Sequence, residues 1–154
     1  MIYLLDVNVL LALGYTAHVH HMCVVHWLAE RRECYAPSGV KLATCPTTEL
    51  GFVRVASGPA RLASSVMEAR KDLERLKIRE HMLFISDRLL GHELPEWVTR
   101  SAHTTDGHLL MLAKSNGARL VTLDQFIPDA EIIRDSTEMH RPPLDLAMRC
   151  RCSC

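Results

Sequence analysis

Residues 1–13, MIYLLDVNVLLAL, join a short apolar run to a helical pattern through a single acidic residue. The apolar run is Ile2–Leu5, and such a run fits a strand that is buried on both faces. Asp6 follows it directly, and Asn8 is placed to cap a short helix that stops at Gly14. Because a buried strand leads at once into a helix, the segment predicts the first half of a parallel βαβ unit.

Strand and helix patterns continue to alternate along the rest of the chain. Pro46 suits the first position of a helix, and Gly117 suits the residue that closes one. The long helical pattern in the middle of the chain has apolar residues at spacings of three and four, at Leu62, Val66, Ala69, Leu73 and Leu76. We predict helices over 18–32, 47–56, 59–78 and 104–116, and strands over 41–44, 81–85, 119–123 and 131–133. This order predicts an α/β fold around a parallel sheet.

Length and composition fit one globular domain. The chain has 154 residues, of which 48% are apolar and 23% are charged, as is usual for such a domain. No apolar run approaches the roughly 18 residues that span a membrane, and the N-terminal run lacks the basic start of a signal peptide. We therefore expect a cytoplasmic protein without membrane contact. The formal net charge of zero is mildly against general nucleic-acid binding, which favours a basic surface.

The end of the chain differs in character from the rest. Residues 140–154, HRPPLDLAMRCRCSC, contain two adjacent prolines and three cysteines without a helical or strand period. A C-x-C-x-C arrangement with no histidine close by is a weak zinc signal, and thiols in cytosolic proteins usually stay reduced. We predict one domain over 1–139, followed by a disordered tail over 140–154 with no metal role.

Four acidic residues stand at the ends of predicted strands or at the starts of predicted helices. Asp6 and Asp124 directly follow strands, whereas Glu49 and Asp106 lie in first helical turns. In open parallel sheets, ligands bind outside the carboxyl ends of the strands, near the point where the strand order reverses. Each acid alone also fits a helix cap, a turn or a favourable interaction with a helix dipole. As a set, the four predict one acidic site at that edge of the sheet.

Converging carboxylates need a counter-charge, because like charges raise each other's pKa. Magnesium and manganese are hard ions that prefer oxygen ligands. Such ions polarise phosphoryl oxygens and lower the pKa of water. The pattern therefore predicts a divalent-metal site suited to the hydrolysis of a phosphodiester bond.

Three segments resemble the motifs of PIN-domain proteins, in particular the toxin nucleases called VapC. LLDVNVLLAL, residues 4–13, resembles the first motif, and CPTTELGFVRV, residues 45–55, resembles the second. TTDGHLLMLAKSNGARLVTLD, residues 104–124, resembles the third and fourth motifs together. Each motif alone is modest, but the ordered set covers roughly residues 1–135 and is specific.

The resemblance implies a fold, an activity and partners. The fold is a three-layer α/β/α sandwich with a central parallel sheet. The activity is that of a magnesium-dependent endoribonuclease, for which manganese is an alternative metal. Such a protein is the toxin of a toxin–antitoxin pair, forms homodimers, acts on RNA and is inhibited by its antitoxin protein.

The resemblance also implies roles for individual residues. By motif position, the catalytic and metal-binding acids are Asp6, Glu49, Asp106 and Asp124. Asp6 and Asp106 are the expected direct metal ligands, and the other two complete the site directly or through water. Asn8 is expected to brace Asp6, and Thr122 is expected to orient a carboxylate or a water molecule.

Alternatives remain for the function and for the histidines. A PIN-like fold that binds RNA or a protein partner without catalysis is possible, but the presence of all four acids argues against it. A flavodoxin-like phosphotransfer domain would need a suitably placed lysine, which the sequence does not offer. The histidines around the second helix, His18, His20, His21 and His26, permit a zinc site. Their spacing does not match a known zinc motif, which favours surface and helix-entry roles.

Overall fold

The computed structural model describes residues 1–36, 39–59 and 62–134. The predicted tail over 140–154 and the domain boundary after residue 139 lie outside these residues. Within the described ranges, no helix combines the length and the apolar character that crossing a membrane requires.

The strands of the described residues form one sheet in which all neighbouring pairs are parallel. The strands are β1 (Ile2–Leu5), β2 (Lys41–Thr44), β3 (Leu83–Phe84), β4 (Arg119–Thr122) and β5 (Glu131–Ile132). Their order across the sheet is β3-β2-β1-β4-β5. β2 and β3 therefore lie on one side of β1, and β4 and β5 lie on the other side. The strand order reverses between β1 and β4, and open parallel sheets bind ligands at such a point.

Helices cover both faces of this sheet. They are α1 (Val7–Gly14), α2 (His21–Cys34), α3 (Pro46–Ala56), α4 (Val66–Arg79) and α5 (Thr104–Ser115). The first four contribute to one hydrophobic core, and α5 contributes to a second core on the opposite face. The predicted three-layer α/β/α sandwich with a parallel sheet is confirmed.

Successive residues of the central strand face opposite layers. Leu5 packs with Val9 and Phe52 in the core beneath α1 to α4, and all three are fully buried. Leu4 packs with Leu109 in the core beneath α5. Because both faces of β1 are covered, its sequence shows no alternation of apolar and polar residues.

The cap of α1 differs from the prediction. Asn8 was expected to cap this helix, but the cap is Asp6, whose backbone is extended at φ −65° and ψ 160°. Asp6 Oδ1 accepts a hydrogen bond of 2.6 Å from the Val7 N–H. The helix follows the strand without a connecting loop, so the residue directly after Leu5 has to serve as the cap. This junction keeps the Asp6 carboxylate at the carboxyl end of β1.

The start of α4 is the largest departure from the predicted elements. A helix was predicted over 59–78, whereas α4 begins at Val66 after a side-chain cap by Ser65. The Ala63 N–H donates to the Ala56 carbonyl at 2.9 Å, which ties the preceding segment back to the end of α3. Leu62 and Ala63 therefore pack against the core from the segment before the helix. The helical spacing of Leu62 and Val66 is the reason that the sequence predicted a longer helix.

Two further elements are shorter than predicted at their N-terminal ends. α2 begins at His21 instead of residue 18 because the preceding residues form a turn, in which the His18 N–H donates to the Tyr15 carbonyl at 3.1 Å. β3 begins at Leu83 instead of residue 81. His81 has a φ of 49°, a left-handed conformation that a strand does not accommodate.

Candidate active site

Asp6 is nearly buried at the carboxyl end of β1 and is held through both carboxylate oxygens. Only 8% of the residue is exposed. In addition to the bond from Val7, Oδ2 accepts a hydrogen bond of 2.9 Å from the Thr122 hydroxyl. The Asp6 N–H donates to the Val121 carbonyl at 3.0 Å. The pairing of β1 with β4 therefore sets the position of this carboxylate.

Thr122, fully buried at the end of β4, connects Asp6 with Asp124. Its hydroxyl donates to Asp6 and accepts a hydrogen bond of 3.0 Å from the Asp124 N–H. Asp124 Oδ1 in turn accepts a bond of 2.9 Å from the Phe126 N–H, in the manner of an Asx turn. One hydroxyl thus keeps the two strand-end acids in a fixed relation.

Asp106 reaches the same edge of the sheet from the opposite layer, in the first turn of α5. The adjacent Gly107 is buried, and a Cβ there would lie 2.4 Å from Val98 Cγ2 and 3.2 Å from Pro95 Cδ. Because this glycine has no side chain, the loop before α5 packs closely on the start of the helix. This packing supports the position of Asp106.

The three aspartates influence each other electrostatically. Burial raises the pKa of Asp6, hydrogen bonds from Thr122 and Val7 oppose the shift, and the charge of Asp124 adds to it. Burial also raises the pKa of Asp106, and the charges of Asp6 and Asp124 raise it further. The structure therefore brings together three of the four predicted acids, contributed by β1, β4 and α5.

Glu49, the fourth predicted acid, has a different environment. Its Oε1 accepts a hydrogen bond of 2.6 Å from the Thr44 hydroxyl and forms an ion pair with Lys77 of α4. The Lys77 ammonium also lies 5.4 Å from the centroid of the Phe84 ring. Glu49 thus has a counter-charge supplied by the chain itself, at the boundary between α3 and α4.

A cavity of about 440 Å³ lies beside Asp124. It is lined by Asn8, by Leu123 and by residues 18–20 of the turn between α1 and α2. Asn8 is exposed in the first turn of α1, and the hydrogen bonds to Asp6 described above come from other residues. The predicted bracing of Asp6 by Asn8 therefore stays a prediction.

The donor set fits a hard divalent ion. Carboxylate oxygens are the ligands that magnesium prefers, and a cation would relieve the mutual repulsion of Asp6, Asp106 and Asp124. In the part of the chain that the structure describes, no three His, Cys, Asp or Glu side chains are placed to ligate one ion together. Magnesium commonly uses one or two carboxylates and keeps several waters. These aspartates fit that mode of binding, whereas the zinc alternative at the histidines gains no support.

Replacing Asp106 with Asn is expected to stabilise the metal-free protein at neutral pH. A carboxyl whose pKa is raised by folding contributes stability below its unfolded pKa, and this contribution is lost as pH rises through the raised pKa. The ionised group therefore destabilises the fold at neutral pH, and the favourable field of the helix N-terminus offsets this only in part. We expect the melting temperature in EDTA to rise by about 1–3 °C.

This gain should disappear below the usual pKa range of aspartate, where Asp106 is protonated in both the folded and unfolded chains. Thermal melts of both proteins in EDTA, from acidic to neutral pH, measure the difference. A variant that melts below the wild type at neutral pH would contradict the raised pKa.

Three residues that lie near the acidic site were not predicted to be there from the sequence. Lys77 belongs to the helical pattern of α4, and no local signal indicates that it pairs with Glu49. His18 and His20 were assigned surface and helix-entry roles, and in the turn that leads into α2 they also line the cavity beside Asp124. Their clustering was the available signal, but it carries no information on which part of the sheet they face.

Comparison with known proteins gives several relatives of similar length. Ribonuclease VapC38 of Mycobacterium tuberculosis is 38% identical over 125 residues, which cover 79% of this chain and 84% of that protein. Ribonuclease VapC39 of the same species is 33% identical, covering 82% of this chain and 91% of that protein. Ribonuclease VapC29, also from this species, is 34% identical, with coverage of 80% and 86%. No protein-family model matches the chain.

Proposed function

The chain belongs to the VapC family of PIN-domain ribonucleases, and we propose that it is a magnesium-dependent endoribonuclease that acts as the toxin of a toxin–antitoxin pair in the cytoplasm. The observation that carries this proposal is the cluster of Asp6, Asp106 and Asp124 where the strand order reverses. The raised pKa values of Asp6 and Asp106 and the oxygen donors of all three aspartates are typical of a site that binds a cation when it works.

The chain's own residues would hold the ion and position the substrate. One or two of Asp6, Asp106 and Asp124 would bind magnesium, and Glu49 would complete the site directly or through water. When bound, the ion supplies charge neutralisation at the phosphate and lowers the pKa of water. The Thr122 hydroxyl holds Asp6 and Asp124 in fixed positions relative to each other, so that the acids would need little rearrangement during the reaction.

A groove of about 1000 Å³ between α3 and α4 supports the proposed antitoxin partner. Its walls include the exposed apolar side chains of Leu50, Met67 and Ile78. Exposed apolar surface of this kind commonly marks a protein interface. Glu49 and Lys77 also line the groove, so a bound antitoxin segment would lie beside one of the proposed active-site acids. We also propose a homodimer, which light scattering of the purified chain would test.

Cleavage of an end-labelled structured RNA tests the nuclease. We expect products with magnesium, none in EDTA, and recovery when magnesium is added in excess over the chelator. Induced expression should arrest growth, and co-expression of the protein encoded directly upstream should relieve the arrest. Undiminished cleavage in EDTA would refute the metal dependence.

A second candidate is a PIN-like module that binds RNA or protein without catalysis. The ion pair between Glu49 and Lys77 favours it, because a cation from the chain already occupies one proposed acidic group. This candidate predicts RNA or partner binding with no cleavage in magnesium or manganese. The cleavage assay described above therefore separates the two candidates.

A further inference from the structure

The turn between α1 and α2 places two imidazole rings beside the acidic edge of the sheet. His18 and His20 line the same cavity as Asp124. Their ring centroids are 5.8 Å apart, and the ring planes are inclined by 47°. Val19 lies between them in sequence and is 86% exposed. The turn thus presents flat rings and an apolar side chain next to the proposed site of phosphate binding.

Hydrogen bonds within the turn support these rings. In addition to the bond from His18 to Tyr15, the His21 N–H donates to the His18 carbonyl at 2.9 Å. The Nδ1 atom of His21 lies 2.7 Å from the Ala12 carbonyl. A binding surface that is already ordered loses less conformational entropy when a ligand is bound.

His18 is held as a neutral ring. Its Nδ1 accepts a hydrogen bond of 3.2 Å from the His20 N–H, so its proton lies on Nε2. Burial lowers the pKa of His18, and His20 and His21 lower it further. A neutral imidazole offers no charge to a phosphate, whereas its flat face suits stacking on a nucleobase. The ring chemistry therefore favours a base over a second phosphate as the occupant of this cavity.

We propose that the turn formed by His18, Val19 and His20 binds an unpaired base of the RNA, by stacking, next to the phosphate that is cleaved. This proposal rests on the proposed function, because it places the phosphate at the three aspartates. Proteins commonly recognise unpaired RNA bases by stacking on aromatic side chains, including histidine. A base contact also suits a chain with zero net charge, which has little general attraction for the RNA backbone.

The double variant His18→Ala/His20→Ala tests this contact on a single-stranded oligoribonucleotide in magnesium. We expect KM to rise about tenfold, with kcat changed less than about twofold. The reason is that loss of binding shared by ground state and transition state raises KM alone. Replacing both histidines with Phe should restore KM because a flat ring is kept. Replacement with Asn, which keeps only hydrogen bonding, should not.

His26→Ala is the matched control. This histidine is exposed on α2 and lies near Glu30, at 3.5 Å, outside the set of cavity-lining residues, and its loss should leave KM unchanged. Thermal melts establish that each variant is folded. An unchanged KM in the alanine pair, or rescue by Asn instead of Phe, would overturn the stacking proposal.

A fluorescence measurement keeps this test independent of cleavage. Wild-type protein in EDTA is mixed with an RNA that carries 2-aminopurine, whose emission falls when the base stacks. Quenching by wild type that is lost in the alanine pair supports stacking, and it does so even if no cleavage is found and the nuclease proposal fails. Equal quenching by both proteins, or bound RNA without quenching, overturns the stacking proposal whether or not RNA is cleaved.

Discussion

An Asp6→Asn variant is expected to cleave RNA about a thousandfold more slowly than the wild type while remaining folded. Asp6 is the most deeply placed of the three clustered acids, and its negative charge is part of what would hold the ion. An ion of this kind contributes several kcal/mol to transition-state stabilisation, and each 1.36 kcal/mol corresponds to a tenfold change in rate. Initial rates at saturating RNA in magnesium measure the loss.

The variant should keep its fold because Asn has nearly the same size and retains an oxygen that can accept the Val7 N–H. Asp129→Asn is the matched control. Asp129 is exposed, pairs with Lys114 at the surface and precedes β5, which places it toward the opposite edge of the parallel sheet. Its replacement should leave the rate close to wild type. A rate for Asp6→Asn within about tenfold of wild type would remove Asp6 from the catalytic set.

Magnesium is expected to raise the melting temperature of the wild-type protein by about 5–10 °C when it exceeds its dissociation constant a hundredfold. At that excess, binding to the native state adds about 2.7 kcal/mol of stability. For a chain of this size, each kcal/mol shifts the melting temperature by about 2–4 °C. Because the cation also removes the repulsion among the aspartates, it should bind more tightly than an ordinary surface ion, and the shift should begin at a lower magnesium concentration. Calorimetry in EDTA and in increasing magnesium measures it.

Asp106→Asn makes this measurement more discriminating. Without metal, the variant should melt slightly above the wild type, as argued from its raised pKa. In magnesium the order should reverse, because the variant lacks one of the expected metal ligands. Sodium chloride at equal ionic strength controls for general screening. An identical shift in both proteins, or none in the wild type at millimolar magnesium, would contradict an ion site at these aspartates.

Much of the architecture is predictable from local patterns. β1 is a short apolar run followed at once by Asp6, and β4 ends two residues before Asp124. Both strands occur within one residue of their predicted bounds. Parallel strands connected by helices leave few possible arrangements, and the carboxyl ends of adjacent strands meet at one edge. The proximity of Asp6 and Asp124 follows from these rules.

The position of Glu49 was not predictable in the same way. A residue in the first turn of a helix can face either of two neighbouring elements, depending on how the helix is rotated against them. Here Lys77, 28 residues further along the chain, and Thr44 hold the Glu49 carboxylate. This pairing depends on the packing of α3 against α4, which no local pattern encodes.

The predicted helix boundaries were wrong at two places for a related reason. Asn8 is a suitable cap by residue type, but the absence of a loop after β1 gives that role to Asp6. Residues before Val66 have helical spacing, yet they reach the core from a turn. At the cap of α1 and at the start of α4, tertiary packing determines which of several local conformations forms, and the local sequence allows more than one.

The hydrogen bond from Thr122 to Asp6 joins residues 116 positions apart, and this separation has a consequence during protein synthesis. Asp6 leaves the ribosome well before β4 is made. A nascent chain that ends before Arg119 lacks the strand that fixes Asp6, and it lacks Asp124 as well. Under the proposed function, unfinished chains are therefore harmless to RNA. An inhibitor then needs to capture only chains that already contain β4.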